Sequence, residues 1–293
     1  MLIRTNSCLA LSLAWSLAVS VAALLPSASL LDAQGSATKA PPKVPVQGPP
    51  GAPDLSKLPK TPKVPVTFDG LFAERDARAT DAMGYLRCMQ ETVNALRAGA
   101  LGMVPRDWSI TCLRQGTEWR GVFGALNDGT IEVKLQYALR GTRKMLTTDR
   151  VDTARVNGTA RALLRGLSSP MPGAGKFEFI PIPLPQENFI EVWFLPVPGT
   201  PSQAVVGGDS LIQMSADGVR ELGHGRTTPP IRTLSVPLSG AAWTLESLEE
   251  RIPTVSELVV ARMALDLIPE VRVRSRQYES VIVRGRGWTH RRR

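Results

Sequence analysis

Gly208-Asp209-Ser210-Leu211 follows a short apolar run, Ala204-Val205-Val206-Gly207, late in a chain of 293 residues. A serine on a glycine turn after a strand can act as a nucleophile if a histidine takes its proton and a carboxylate orients that histidine. Only His224 and His290 are available as that base. Thiol or disulfide chemistry falls to Cys8, Cys88 and Cys112, and two histidines are too few for a multi-histidine metal centre. The strongest charge feature is C-terminal. From Arg272 to Arg293 eight arginines stand against Glu279 alone, a local charge of +7 within a formal net charge of +9. No Gly-x-x-x-x-Gly-Lys, Gly-x-Gly-x-x-Gly or His-Glu-x-x-His occurs, and no cofactor is expected.

The four letters around Ser210 match the GDSL serine esterases, which place the serine at a strand end just before a helix and draw orienter and base from a later Asp-x-x-His. The rest of this chain departs from that pattern. After Ser210, "LIQMS-ADG-VRELG" reads as strand, Asp-Gly turn and strand. The residue three before His224 is Glu221, and three before His290 is Gly287. Only 83 residues follow Ser210, too few for the remainder of such an α/β fold. A secreted hydrolase using Ser210 is therefore the alternative, and a non-enzymatic role the leading expectation. Glu118 and Asp128 could serve as an acid/base pair only if the fold brought them together; otherwise they are a strand-surface residue and a turn former.

Composition narrows the setting. At 43% hydrophobic the chain can bury a core, and 27 arginines against 8 lysines suggest a G+C-rich, bacterial coding sequence. Arg4, the apolar run "CLALSLAWSLAVSVAALL" and the small residues after Pro26 make a signal-peptide pattern over 1–33, with cleavage expected after Ala33. An uncleaved anchor is the competing reading. The mature chain is then expected outside the cytoplasm, periplasmic or extracellular, with no transmembrane span. Loss of Cys8 with the signal leaves Cys88 and Cys112, which in an exported chain read as one disulfide.

Residues 34–66 hold nine prolines with Lys39, Lys43, Lys57, Lys60 and Lys63, a spacer expected to be extended and semi-rigid. The folded part is expected over 67–283, with a subdivision near the flexible break 168–176. Ala79, Ala82, Met83, Leu86, Met89, Val93 and Leu96 predict a helix of about 25 residues capped at Asp69. Asn127-Asp128-Gly129 predicts a hairpin, followed by alternation through Ile131, Val133, Leu135, Tyr137 and Leu139. A second helix is expected from Asp152 to Leu167, with Ala160, Leu163, Leu164 and Leu167 as its stripe. Beyond 176 the chain reads as strands, and 256–270, ambiguous between strand and helix, leans to strand. The fold class is α+β: two N-terminal helices packed on mainly antiparallel sheet, with a β-rich C-terminal half.

Residues 284–293 read as a flexible basic tail. Arg272, Arg274, Arg284, Arg286, Arg291, Arg292 and Arg293, with Trp288 among them, are the candidate contacts for an anionic envelope component. Export argues against nucleic acid as the partner. The segment "NFIEVWFLPVPGTPSQAVVGGDSLIQMSADGVREL" resembles a class of bacterial exported proteins without an assigned activity, which share a strand, Leu-Pro, Pro, Gly-Gly-Asp, strand, Asp-Gly-turn pattern. The resemblance runs loosely from about Tyr85 to Val283. It implies a structural role for Gly207-Gly208-Asp209 as a tight turn between strands.

Overall fold

The computed structural model describes residues 67–98, 108–140, 143–147, 150–168, 178–197, 202–226, 230–249 and 251–293. The readings of 1–33, of 34–66 and of nearly all of the 168–176 break fall outside the described residues.

The described residues form an α+β, β-rich fold of three helices and fourteen strands in four sheets. Every strand pairing among them is antiparallel except that of Trp243–Glu246 with Glu270–Arg274. The helices are not grouped at the N-terminus. Helix α1 (Phe68–Ala98) precedes all strands, α2 (Thr153–Leu167) follows the first sheet, and α3 (Val255–Ala264) lies where a strand was expected.

Helix α1 has 31 residues, about 46 Å at 1.5 Å per residue. It starts earlier than Asp69 because Thr67 caps it, its Oγ1 accepting from the Gly70 amide at 3.2 Å. Its Ala79, Ala82, Met89, Val93 and Leu96 are buried, as their spacing predicts. The first sheet is a meander in the order β1 (Trp108–Gln115), β2 (Glu118–Asn127), β3 (Thr130–Arg140), β4 (Arg143–Leu146). Asp128 and Gly129 turn β2 into β3 with φ of 49° and 74°, the positive pair that a two-residue hairpin loop requires. Cys88 on α1 and Cys112 on β1 are bonded, with Cα atoms 6.1 Å apart, so the helix is stapled to the sheet that it covers. Closing 24 residues of sequence separation in this way is worth about 3 kcal/mol in the chain-entropy account.

Helix α2 is capped by Asp152, which accepts from the Arg155 amide at 3.1 Å. It does not pack through the expected leucine stripe: Leu167 is 41% exposed, and the buried face is Val156, Gly158, Thr159, Ala160, Ala162 and Gly166. Small residues bury here because the neighbours come close. A Cβ on Gly158 would lie 2.3 Å from the Ala216 carbonyl oxygen, so this mid-helix glycine is where a hairpin turn seats. That turn joins two strands of the second sheet, whose order is β5 (Phe179–Pro185), β6 (Phe189–Pro196), β8 (Ser210–Ser215), β9 (Glu221–Arg226). Its edge strand β5 carries Pro181, Pro183 and Pro185, which suits a strand with an unpaired side.

Strands β7 (Gln203–Val206) and β10 (Arg232–Ser235) form a two-stranded ribbon. The last sheet runs β11 (Trp243–Glu246), β12 (Glu270–Arg274), β13 (Tyr278–Val283), β14 (Trp288–Arg292). Helix α3 lies between this sheet and α1. Its Leu258 and Val259 join the α1 core with Ile182 and Leu195, while Val260, Ala261 and Ala264 join Val271, Val273 and Ile282. A Thr254–Glu257 capping box starts the helix.

Candidate functional site

The C-terminal arginines are not a flexible tail. Residues 288–292 are the edge strand β14, paired antiparallel with β13 in the register Tyr278↔Arg292, Ser280↔His290 and Ile282↔Trp288. Strand pairing alternates the side chains between two faces. Trp288 and His290 point inward, and Thr289 and Arg291 outward. The inward pair explains why the segment is ordered. Trp288 donates from Nε1 to Asp76 Oδ1 at 2.8 Å and meets Phe72 edge-on at 5.2 Å between ring centroids. Asp76 is also gripped by both Arg262 nitrogens, at 2.8 and 2.6 Å. His290 contacts Phe72 and Phe68, and burial there lowers its pKa from the ordinary imidazole value against the pull of Asp69 and Asp76.

On the outward face three of the seven candidate arginines are already ion-paired. Arg272 Nε bonds Glu270 at 2.6 Å, and Arg274 Nε bonds Glu279 at 2.6 Å with Glu246 at 3.4 Å from its NH1. Arg291 takes the other oxygen of Glu279. The Glu279 carboxylate is 1% exposed, and the hydrogen bond from Arg274, helped by Arg291, holds its pKa below the ordinary glutamate value. Arg293 donates to the Ser275 carbonyl at 3.1 Å. Arg284 donates to the Leu265 carbonyl at 2.5 Å, and with the exposed Arg286 it sits in the β13–β14 turn, at the far end of the hairpin from Arg292. Arg274, Arg291, Arg292 and Arg293 thus gather at one end of the sheet, Arg284 and Arg286 at the other, and Arg272 stands between them opposite Val281. The basic end has a member that the sequence reading counted without singling out: exposed Arg276, in the β12–β13 turn. Arg274, Glu279, Arg291, Arg292 and Arg293 line a shallow concavity of about 420 Å³. Four guanidinium groups stand there against the Glu279 carboxylate, with Glu246 paired to Arg274, so positive charge remains in excess.

The serine motif is part of a different construction. Ser210 is the first residue of β8, opposite Phe194 and Arg226, where the esterase pattern requires a helix. His224 lies on β9 opposite Ile212, with its ring 80% exposed and beside Glu221. Glu118 and Asp128 stand near opposite ends of the β2 hairpin arm, so they form no pair.

Gly207 and Gly208, with φ of 83° and 67°, bend the chain between β7 and β8 and aim Asp209 at the first turn of α3. Asp209 is wholly buried and accepts from the Ser256 amide at 2.8 Å and from the Ser256 hydroxyl, while the Gly207 amide donates to that same hydroxyl at 2.9 Å. A carboxylate suits the positive end of a helix. Burial nevertheless pushes its pKa up from 3.8 to about 6, against the two Ser256 hydrogen bonds. Because the folded value is raised, this group's stability contribution is full below pH 3.8 and is lost as pH rises through about 6. Asp209→Asn is expected to remove that slope. The difference in unfolding free energy between parent and variant should change by about 2 kcal/mol from pH 4 to pH 7, read from urea melts at each pH. A flat difference contradicts the assignment.

Among the described residues no group of three or more His, Cys, Asp or Glu is placed to hold a metal ion. No helix among them is long and apolar enough to cross a membrane. No family model, curated protein or solved structure matches the chain.

Proposed function

We propose that this chain is an exported, non-enzymatic binding module that holds an anionic component of the cell envelope against the basic end of its C-terminal sheet. The observation that carries the proposal is the placement of Arg274, Arg291, Arg292 and Arg293 around Glu279 in one concavity. A guanidinium fork matches carboxylate and phosphate oxygens two at a time, and arginines held on a strand lose less freedom on binding than a loose tail does. The Cys88–Cys112 bond and the signal-like N-terminus favour an oxidising location.

The experiment is retention of the exported chain on immobilised heparin, used as a generic polyanion, under a salt gradient. Arg292→Gln/Arg293→Gln is expected to elute at clearly lower salt than the parent. Arg284→Gln/Arg286→Gln removes the same charge from the other end of the hairpin and should elute close to the parent. Equal shifts for the two double variants would mean that net charge alone is read, and the proposed site would fall.

A further inference from the structure

We infer that the anionic partner is an acidic polypeptide in extended form, added as a fifth strand to the four-stranded C-terminal sheet along the outer edge of β14. This rests on the binding reading above and names its partner class.

The backbone register decides which groups β14 offers. The Arg293 amide donates to the Gln277 carbonyl at 2.9 Å, one step beyond the pair Tyr278↔Arg292. Antiparallel neighbours alternate between bonded and non-bonded pairs. Thr289 and Arg291 therefore turn their amides and carbonyls to β13, and Trp288, His290 and Arg292 turn theirs the other way. The side chains agree. His290 Nδ1 meets Ser280 Oγ at 2.9 Å across a non-bonded pair, where side chains stand closest. β14 ends the sheet order, and among the described residues no strand pairs with its outer edge. That edge presents the amides and carbonyls of Trp288, His290 and Arg292 in strand geometry, a template for a further strand. The rings of Trp288 and His290 against Phe72 hold the template in place before a partner arrives.

Charge selects the strand that fits. Arg291 and Arg292 lie on β14, Arg293 follows it, all three are exposed, and β14 carries no acidic residue. A second copy of this chain would bring the same arginines to the same edge, and like charges across a strand pair are unfavourable. A strand with carboxylates at alternate positions sets them on one face, that of Arg291 and Arg293. There they reach the concavity of about 420 Å³ that these two line with Arg274, Arg292 and Glu279. Main-chain bonds supply affinity in such a pairing, and the guanidinium groups choose the partner. A glycan or a phosphate surface answers the arginines but leaves the outer amides and carbonyls of β14 to water.

The test titrates the exported chain, as its host processes it, with a short end-blocked peptide that alternates glutamate and threonine. A control peptide of the same sequence carries an N-methyl group on every backbone amide, which keeps the charge and removes the donors. The parent is expected to bind the plain peptide at least about tenfold more tightly than the control. Binding should also slow hydrogen exchange at the amides of Trp288, His290 and Arg292. Arg292→Gln and Arg292→Pro both remove the charge, but only proline removes an amide from the outer edge, and it takes none from β13. Arg292→Pro should therefore bind the plain peptide about fivefold more weakly than Arg292→Gln. If urea melts show the proline variant to be the less stable, the two peptides on the parent decide alone. Equal binding of both peptides by the parent, or equal binding by two equally stable variants, means that charge alone is read. The inference then falls and the arginine site stands. A parent retained on heparin that binds neither peptide has a partner of another chemical class, and again only the inference falls. If heparin retention does not separate the two ends of the hairpin, the binding reading falls and takes this inference with it.

Discussion

Phe72→Ala is expected to destabilise the fold by about 3–5 kcal/mol, the usual cost of emptying a buried phenylalanine site. Phe72 is 2% exposed and lies where α1 meets the distant C-terminal strand β14. Its ring meets Phe68 within α1, Trp288 at 5.2 Å and His290 at 4.2 Å on β14. The alanine leaves a cavity lined by these rings and loosens the inward face that orders the edge strand. The arginines should then become mobile, so polyanion retention should weaken although no charge has been removed. Urea unfolding checks the first effect and the heparin gradient the second. A loss under about 1 kcal/mol would mean that α1 does not hold the C-terminal hairpin.

Glu257→Ala should cost a comparable 3–5 kcal/mol, for a different reason. Glu257 is 1% exposed and completes the capping box. Its Oε2 accepts from the Ser247 hydroxyl at 2.7 Å and the Thr254 amide at 2.9 Å, while Arg232 bonds its Oε1 at 3.1 Å. Removing the carboxylate takes the ion partner from the half-buried Arg232 and strands a buried hydroxyl and amide, and breaking one side of a largely buried ion pair is costly. Glu257→Gln keeps an acceptor and the volume, so its loss should be clearly smaller. If both variants lose equally little in urea melts, the helix start is not the anchor described above. The same node is steadied by Arg75, which reaches from α1 to the Ile252 and Pro253 carbonyls at 2.8 and 2.9 Å. Asp209 ties it to the second sheet.

Local pattern made parts of this fold legible. The α1 stripe, the Asp128-Gly129 turn and the alternation of β3 each follow from spacing within a single element. The pairing of Cys88 with Cys112 followed from the expected loss of Cys8 with a signal peptide, which leaves two cysteines to bond each other. Helix α3 was missed because eight of its ten residues are buried, among them Val255, Leu258, Val259, Val260 and Ala261. A helix buried on nearly every side has no polar face to reveal a 3.6-residue period. Its start was nonetheless written in the sequence, since Thr254 and Glu257 have capping-box spacing. Helix α2 was found but turned wrongly, because a stripe of leucines outweighs Gly158, Ala162 and Gly166 on any hydrophobicity scale, while close packing prefers the small residues.

The C-terminal hairpin was hidden by its charge. Arginines at 284, 286 and 291–293 read as solvated chain, yet Gly285-Arg286-Gly287 is turn chemistry and Trp288-Thr289-His290-Arg291 alternates as a strand does. The role of Asp209 could not be read locally at all. It depends on Ser256, 47 residues away in sequence, and only the folded chain brings the two together.

The account depends most on the arginines standing on a fixed strand, and amide hydrogen exchange across residues 288–292 measures that directly. The β14 amides bonded to β13 are predicted to be protected about as strongly as those of β12 and β13, opening with the sheet rather than separately. Exchange through 288–292 at the rate of an unstructured peptide would contradict it, and the basic end would then be the loose tail that its composition suggests.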